Sequence, residues 1–171
     1  MTVDTARLLA RYNAHANSEM NKVLAGLSEH DWTKDLGGFY PSFRALATHL
    51  YTTDIAWLSR FAGLRPFAAI KGDPFDFPPA PGEPPFHTLA EYQEKRRALD
   101  AVFTAFADEL TDADLAADLS YRNYKNETLT KNMGGLVVHI FNHQTHHRGM
   151  IALYLDQLDI PNDYSSLSAI V

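Results

Sequence analysis

The chain has 171 residues, of which 46% are hydrophobic and 21% charged, as expected for one globular domain spanning residues 1–171. Its formal charge of −6 argues against nucleic-acid binding, which needs clustered Lys and Arg, and no apolar run approaches the roughly 20 residues of a membrane span. The absence of cysteine excludes disulfides, thiolate metal sites and a cysteine nucleophile, and it fits a cytoplasmic protein.

Two amphipathic helices are predicted in the first third of the chain. The first runs from about Asp4 to Gly26, because apolar residues recur there at the three- and four-residue spacing of one helix face. The second begins after Ser42, whose side chain is a good N-cap, and ends at Ala62. Because the connection between them is short, we expect these two helices to pack as antiparallel neighbours.

The middle of the chain predicts a loop, a third helix and a hairpin. Residues 64–86 hold seven of the nine prolines, which predicts a proline-rich loop without helix. Thr88 and Glu91 form the S/T-x-x-E pattern of a capping box, which opens a third helix ending near Leu110. Tyrosine, threonine and asparagine residues between Ser120 and Lys131 predict a short β-hairpin.

A fourth helix is predicted from Met133 to Leu158, with Asn132 before it as N-cap. Four amphipathic helices with hardly any strand predict an all-α protein, and their lengths suit a four-helix bundle. The two later connections are each long enough to span a helix, so a parallel crossover stays open and the sequence leaves the topology undecided.

Histidines occupy the apolar face of the fourth helix. At about 100° per residue, His143 and His147 fall in the middle of that face, and His139 and His146 fall on its shoulder. Two histidines four residues apart on a helix can bind one divalent ion, which would satisfy ring nitrogens that are costly to bury alone. The alternative is a structural role, with the rings hydrogen-bonded to water or to neighbouring helices. Gln144 stands where a zincin has its glutamate, so the zincin motif is absent.

A third ligand has to come from another helix, and His49 on the second helix is the best candidate because small side chains surround it. Three neutral imidazoles leave one position of the ion open, which is typical of catalytic sites. Each ligand ring should donate its other N–H to an acceptor in an outer shell. The candidates for that role are Asn13, Asn17 and Thr53.

Two arginines and a second apolar stripe also need an interpretation. Arg96 falls on the apolar face of the third helix, where it can bind an anionic substrate or extend its head group to the rim. Arg148 points away from the inward face of the fourth helix and therefore away from the metal. A second apolar stripe on that helix suggests cover by another subunit as well as by the bundle. This stripe consists of Val137, Phe141 and Leu155.

The segment from His139 to Gly149 contains Asn-His-x-x-His-His-Arg-Gly and resembles the last helix of the DinB family of metalloenzymes. Tyr12-Asn13 with Ala16-Asn17, and the segment from Ser42 to Leu50, resemble the first and second helices of that family. The resemblance implies a four-helix bundle, often homodimeric, with a divalent ion such as zinc or nickel. The matching ligand positions are His49, His143 and His147.

The resemblance also implies a function, since some relatives are transferases or isomerases that use low-molecular-weight thiols. We therefore expect a cytoplasmic, metal-dependent enzyme in which activated water or a thiol attacks a small electrophile, as in a thiol transferase or hydrolase. Its partners would be a small-molecule substrate, a low-molecular-weight thiol and a second copy of the chain, without nucleic acid or membrane. The alternative is a non-catalytic metal- or ligand-binding protein of a stress response, because no general base is evident.

Overall fold

Four long helices, two five-residue helices and a two-stranded sheet make up the computed structural model, which describes residues 1–75 and 83–171. The protein is mostly helical, as predicted. The helices are α1 (Val3–Leu24), α2 (Glu29–Thr33), α3 (Phe43–Phe61), α4 (Leu89–Glu109), α5 (Asp112–Ala116) and α6 (Met133–Asp156). The strands are β1 (Asp118–Arg122) and β2 (Thr128–Asn132), and a 3-10 turn at Leu167–Ala169 lies near the C-terminus.

The four long helices correspond to the four predicted ones, with ends that agree within two residues. Each begins after a side chain that accepts the backbone N–H three residues further on, which satisfies one of the free donors of the first turn. The capping residues are Thr2, Ser42, Thr88 and Asn132. At α4 the Thr88 side chain accepts the N–H of Glu91, as predicted, and the Glu91 carboxylate accepts the backbone N–H of His87 at 2.7 Å.

The predicted hairpin is confirmed as the antiparallel pair β1–β2, in which Asp118 lies opposite Asn132 and Arg122 opposite Thr128. Asn126 closes the turn with a φ of 63°, a left-handed conformation that asparagine tolerates better than most residues. The proline-rich loop stays a prediction, because residues 76–82 lie outside the described residues.

The packing of the long helices corrects one prediction. α1 packs mainly against α4 and also against α6, whereas α3 packs against α6 and α4. Within the described residues α1 and α3 share no extensive interface, so the prediction that they are neighbours is wrong. The connection between them is no tight turn, because it carries α2 and buries Trp32 against Tyr92 of α4, with ring centroids 5.5 Å apart.

The second apolar stripe of α6 is covered within the chain itself. Val137, Phe141 and Leu155 are all buried, and the Phe141 ring lies 5.8 Å from that of Phe103 on α4. This stripe therefore needs no second subunit, and the homodimer stays a prediction that rests on the resemblance.

No helix among the described residues combines the length and the apolar character that crossing a lipid bilayer would require.

Candidate metal centre

The three histidines converge where α3 packs against α6. His49 lies near the middle of α3, and His143 and His147 lie one turn apart on α6. The Nε2 atoms of His49 and His143 are 3.1 Å apart, and one ring nitrogen from each of the three residues lies within 4.8 Å of the others. The structure therefore brings together the three residues that the sequence singled out.

This spacing fits a divalent ion. At zinc–nitrogen bonds of about 2.0–2.1 Å, the ligand nitrogens of a tetrahedral site lie about 3.3 Å apart. The separation of 3.1 Å between the His49 and His143 nitrogens is close to that value. Among the described residues no aspartate or glutamate joins the cluster, so three neutral rings would hold the ion and leave its charge undiminished.

Electrostatics keep the rings in the neutral form that a metal needs. Burial, reinforced by the neighbouring imidazoles of His143 and His49, lowers the pKa of His147 to about 3. Burial lowers the pKa of His143 to about 4, with His49 as the largest of the charged neighbours. The pKa of His49 is also lowered by burial. All three rings therefore retain a free lone pair at neutral pH, so a metal does not have to displace a proton.

The outer nitrogens of the rings are held unequally. Thr53 Oγ1 lies 3.5 Å from Nδ1 of His49, as expected of an outer-shell partner. Nδ1 of His143 and Nδ1 of His147 are buried and have no hydrogen-bond partner within the described residues. Buried polar atoms without partners are uncommon in folded proteins and mark places where a ligand or water is expected.

Asn13 and Asn17 do not serve as acceptors for the ligand rings. Both are buried on α1, where their amide nitrogens donate to Asp100 Oδ1 at 3.2 Å and 2.8 Å. Their amide oxygens accept from Arg148 Nη1, at 2.5 Å for Asn13 and 3.3 Å for Asn17. The prediction that they orient the histidines is therefore wrong, because Asp100 and Arg148 use their polar atoms.

Arg96 takes neither of its predicted positions. Its guanidinium is 1% exposed and forms ion pairs with Asp54 at 2.5 Å and with Asp100 at 2.7 Å. Gln144 also donates to Asp54 Oδ2, which links α6 to α3 beside the histidines. Arg96 is thus a structural ion of the interior, neither a substrate clamp nor a rim residue. Arg148, predicted to point away from the metal, is likewise buried and bonded to α1.

His139 and His146 are exposed and lie beside the cluster. The His139 ring packs edge-on against Trp57 (centroids 5.2 Å apart) and lies 6.3 Å from the His143 ring. The His146 ring lies 4.9 Å from the His147 ring. Both therefore border the site without joining the three residues that share a centre.

Sequence reasoning missed Tyr40, which forms a wall of the site. Its ring stacks on His49 at 4.3 Å and meets His147 edge-on at 5.6 Å. The hydroxyl of Tyr154 donates to the Tyr40 carbonyl (2.5 Å) and holds this loop against α6. A Cβ at Gly38 would collide with the Tyr154 hydroxyl, so glycine is needed there. A single aromatic residue in a loop carries no periodic signal that could have identified it.

Comparisons with known proteins identify the family of the chain and agree with its fold. A sequence profile of the DinB family matches residues 1–161 of the chain. The chain is 24% identical over 166 residues to Protein DinB of Bacillus subtilis (strain 168), and the match covers 94% of this chain and 92% of that protein. Its fold is similar to the crystal structure of a DinB-like protein from Bacillus cereus ATCC 10987, with a TM-score of 0.59 and 21% identity. That similarity covers 88% of this chain and 91% of the other.

Proposed function

The chain belongs to the DinB family, and from this membership and its three converging histidines we propose that it is a metal-dependent enzyme acting on a small electrophile. The observation that carries the proposal is the convergence of His49, His143 and His147. Among the described residues, no aspartate or glutamate belongs to this cluster. A zinc or nickel ion bound there would act as a Lewis acid and lower the pKa of a water or thiol in its open position.

The residues around the cluster divide the remaining tasks. The stacked ring of Tyr40 orients His49 and excludes water from that side of the site. Thr53 accepts the outer N–H of His49 and so directs its Nε2 towards the other two rings. The exposed imidazoles of His139 and His146 border the site and are our candidates for the group that accepts the proton of the nucleophile.

The proposal includes a low-molecular-weight thiol as the second substrate, a cytoplasmic location and a homodimer. The proposed partners include neither a nucleic acid nor a membrane. Thiol transfer is preferred to hydrolysis because of the family resemblance, and the experiment below distinguishes the two reactions.

The test combines metal content with turnover. Untagged protein is analysed for bound metal, and then assayed with a chlorodinitrobenzene plus cysteine for thiol transfer and with p-nitrophenyl acetate for hydrolysis. We expect about one metal ion per chain, and we expect His147→Ala to lose both the metal and at least about 100-fold in rate. His87→Ala is the matched control, because His87 is exposed, lies before α4 and does not belong to the cluster. Equal turnover by the wild type and His147→Ala would contradict the proposal.

A second candidate is a non-catalytic metal- or ligand-binding protein of a stress response. It is favoured by the lack of any carboxylate base in the cluster among the described residues. It predicts the same metal content and the same loss of metal in His147→Ala, but no turnover in either assay.

A further inference from the structure

A second site lies between α1 and α4, the two long helices that contribute none of the three histidines. A groove of about 490 Å³ is open there, which is within the range of about 300–1,000 Å³ typical of small-molecule sites. Its space exists because alanines face it from both helices, among them Ala14 and Ala101. The rest of its lining is polar, so the chemistry of those polar groups decides what the groove can bind.

The groove ends on a buried carboxylate with one free oxygen. Asp100 is 6% exposed, and its Oδ1 is occupied by Asn13, Asn17 and Arg96. Its Oδ2 has no hydrogen-bond partner within the described residues. Because Asp100 lines the groove and its Oδ1 is turned towards the interior, Oδ2 is the oxygen available to a ligand. Asn21 also lines the groove, but its side-chain oxygen is buried out of contact with the open space.

The free oxygen of Asp100 is a hydrogen-bond acceptor, so a complementary ligand has to supply hydrogen-bond donors. The Thr104 hydroxyl donates to the carbonyl of Asp100 (3.1 Å), which leaves its lone pairs to accept. Asp100 and Thr104 thus present acceptors to the groove, and a primary ammonium group supplies the matching N–H donors.

Charge supports a cationic donor. Asp54 and Asp100 share the single guanidinium of Arg96, while Arg148 bonds the amide oxygens of Asn13 and Asn17. Arg96 is thus the only direct ion-pair partner of both carboxylates within the described residues, and the charge of Arg148 acts on them from behind the two amides. Burial raises the pKa of Asp100 to about 6, so its carboxylate is ionised above that pH and gains from a cation in the groove.

The mouth of the groove carries the opposite charge. Arg97 is exposed, lines the groove and has neither an ion-pair nor a hydrogen-bond partner within the described residues. Lys22 also lines it but is paired with Glu19 at 2.6 Å. The free guanidinium of Arg97 can therefore receive a carboxylate in a bidentate contact.

We propose that the groove between α1 and α4 binds a small zwitterion with an aliphatic spacer, its ammonium group on Asp100 and Thr104 and its carboxylate on Arg97. Arg97 and Asp100 lie three residues apart on α4, a spacing that places their Cβ atoms about 5–6 Å apart. This separation suits an amino acid whose two charged groups are separated by a few carbons. The site is independent of the metal centre, because the two share no lining residue.

The test is a titration of the full chain with β-alanine, γ-aminobutyrate and ε-aminocaproate, followed by the backbone amide shifts of α1 and α4. Butylamine and butyrate serve as matched probes that each lack one charge. We expect saturable binding in the millimolar range, with the best zwitterion bound at least about tenfold more tightly than either singly charged probe. The shifts should concentrate at the alanines and Thr104 that line the groove.

Variants locate the binding. Ala101→Leu fills the groove and should abolish binding, whereas Ala105→Leu, at an exposed alanine on α4 outside the groove lining, should leave it unchanged. Arg97→Gln should reduce zwitterion binding at least about tenfold and leave butylamine binding unchanged. Asp100→Asn should weaken the ammonium contact, and a folded amide spectrum is required because Asp100 also supports the interior.

Four results would overturn the proposal. One is the absence of saturable binding by every probe. Another is binding that Ala101→Leu leaves intact, and a third is amide shifts confined to α3 and α6. The fourth is self-association through this groove, shown by a change of oligomeric state in Ala101→Leu without any binding of the probes.

Discussion

The three imidazoles differ in how their outer nitrogens are held, and this difference decides how the centre can be perturbed selectively. Nδ1 of His49 faces Thr53, while the corresponding atoms of His143 and His147 have no partner within the described residues. The orientation of His49 therefore depends on Thr53 and on the stacked ring of Tyr40. Thr53 offers a way to change metal affinity without removing a ligand.

We expect Thr53→Val to weaken zinc binding by about tenfold, since loss of an outer-shell acceptor typically costs about 10–100-fold. Valine keeps the shape of threonine and removes only the oxygen near His49. The measurement is a competition titration against a chromophoric chelator. Thr52→Val is the control, because the Thr52 hydroxyl donates to the Thr48 carbonyl (2.8 Å) on the same helix. Equal affinities in the two variants would show that Thr53 does not hold the ring.

The depressed histidine pKa values also predict how stability depends on pH without metal. The folded-state pKa values of His143 and His147, about 4 and about 3, lie below the usual value of 6.5. Unfolding therefore takes up protons, so the stability these residues contribute is complete above pH 6.5 and is lost as pH falls towards 4. Asp100 acts in the opposite direction, because its raised pKa contributes stability that is lost as pH rises from 3.8 to about 6.

Replacing His143 and His147 by glutamine separates the pH dependence due to the histidines from that due to Asp100. We expect the double variant His143→Gln, His147→Gln to lose less stability between pH 7 and pH 5 than the wild type. The difference has an upper limit of about 1.4 kcal/mol per pH unit for each proton taken up, and solvent screening at the partly exposed ring of His143 reduces it. Urea unfolding with chelator present at several pH values measures it. Parallel pH profiles for the two proteins would contradict the assigned pKa shifts.

The site residues show which positions sequence reasoning can reach. His143 and His147 were accessible because histidine on the apolar face of a periodic helix contradicts the pattern around it. Arg96 and Asp54 were not, because a polar residue on a helix gives no sign that its partner lies on another helix. Tyr40 was not accessible either, since its position depends on the bond between its carbonyl and Tyr154.

At the scale of elements, a buried polar network joins the four long helices beside the metal centre. Asp54 on α3 accepts from Arg96 on α4 and from Gln144 on α6, and Asp100 extends the network to α1. Arg148 on α6 closes it through the amide of Asn13. This network fixes the relative positions of α3 and α6, which carry the ligands.

We expect Arg96→Met to destabilise the protein by about 3–5 kcal/mol, because it leaves Asp54 and Asp100 buried without their shared cation. Arg97→Met is the control, since Arg97 is exposed and should change stability by less than about 0.5 kcal/mol. Urea denaturation of both variants gives the two free energies of unfolding. A cost for Arg96→Met no larger than that of the control would show that the network contributes no net stability.

The elements themselves were predictable where several local signals agreed. α1, α3, α4 and α6 combine a capping side chain with an apolar period, and their predicted ends agree within two residues. α2 and α5 were missed because five residues are too few to show a helical period, although Ser28 and Thr111 cap them. The neighbours of each helix could not be derived from loop length, since the connection from α1 to α3 contains α2.

At the scale of the whole molecule, the segment after α6 is held against α6, which carries two of the three histidines, and against α1. The Tyr164 hydroxyl donates to the Arg148 carbonyl (2.9 Å), and the Tyr12 hydroxyl donates to the Ser165 carbonyl (2.6 Å). The segment after α6 is thereby bound to both α6 and α1. An ion held by the three histidines would add a direct link between α3 and α6 to this arrangement.

Removal of metal should therefore lower the stability of the entire chain. A ligand present at 100 times its dissociation constant stabilises the folded state by about 2.7 kcal/mol, because the unfolded chain does not hold the three rings together. For a domain of this size that corresponds to a decrease in Tm of roughly 5–11 °C on addition of a chelator, restored by excess zinc. His147→Ala should start from a Tm that neither chelator nor zinc changes, whereas His87→Ala should respond as the wild type does, since His87 is exposed and outside the cluster. A wild-type Tm that is unaffected by both additions would mean that the cluster binds no ion in the folded protein, and the proposed enzyme chemistry would then lose its basis.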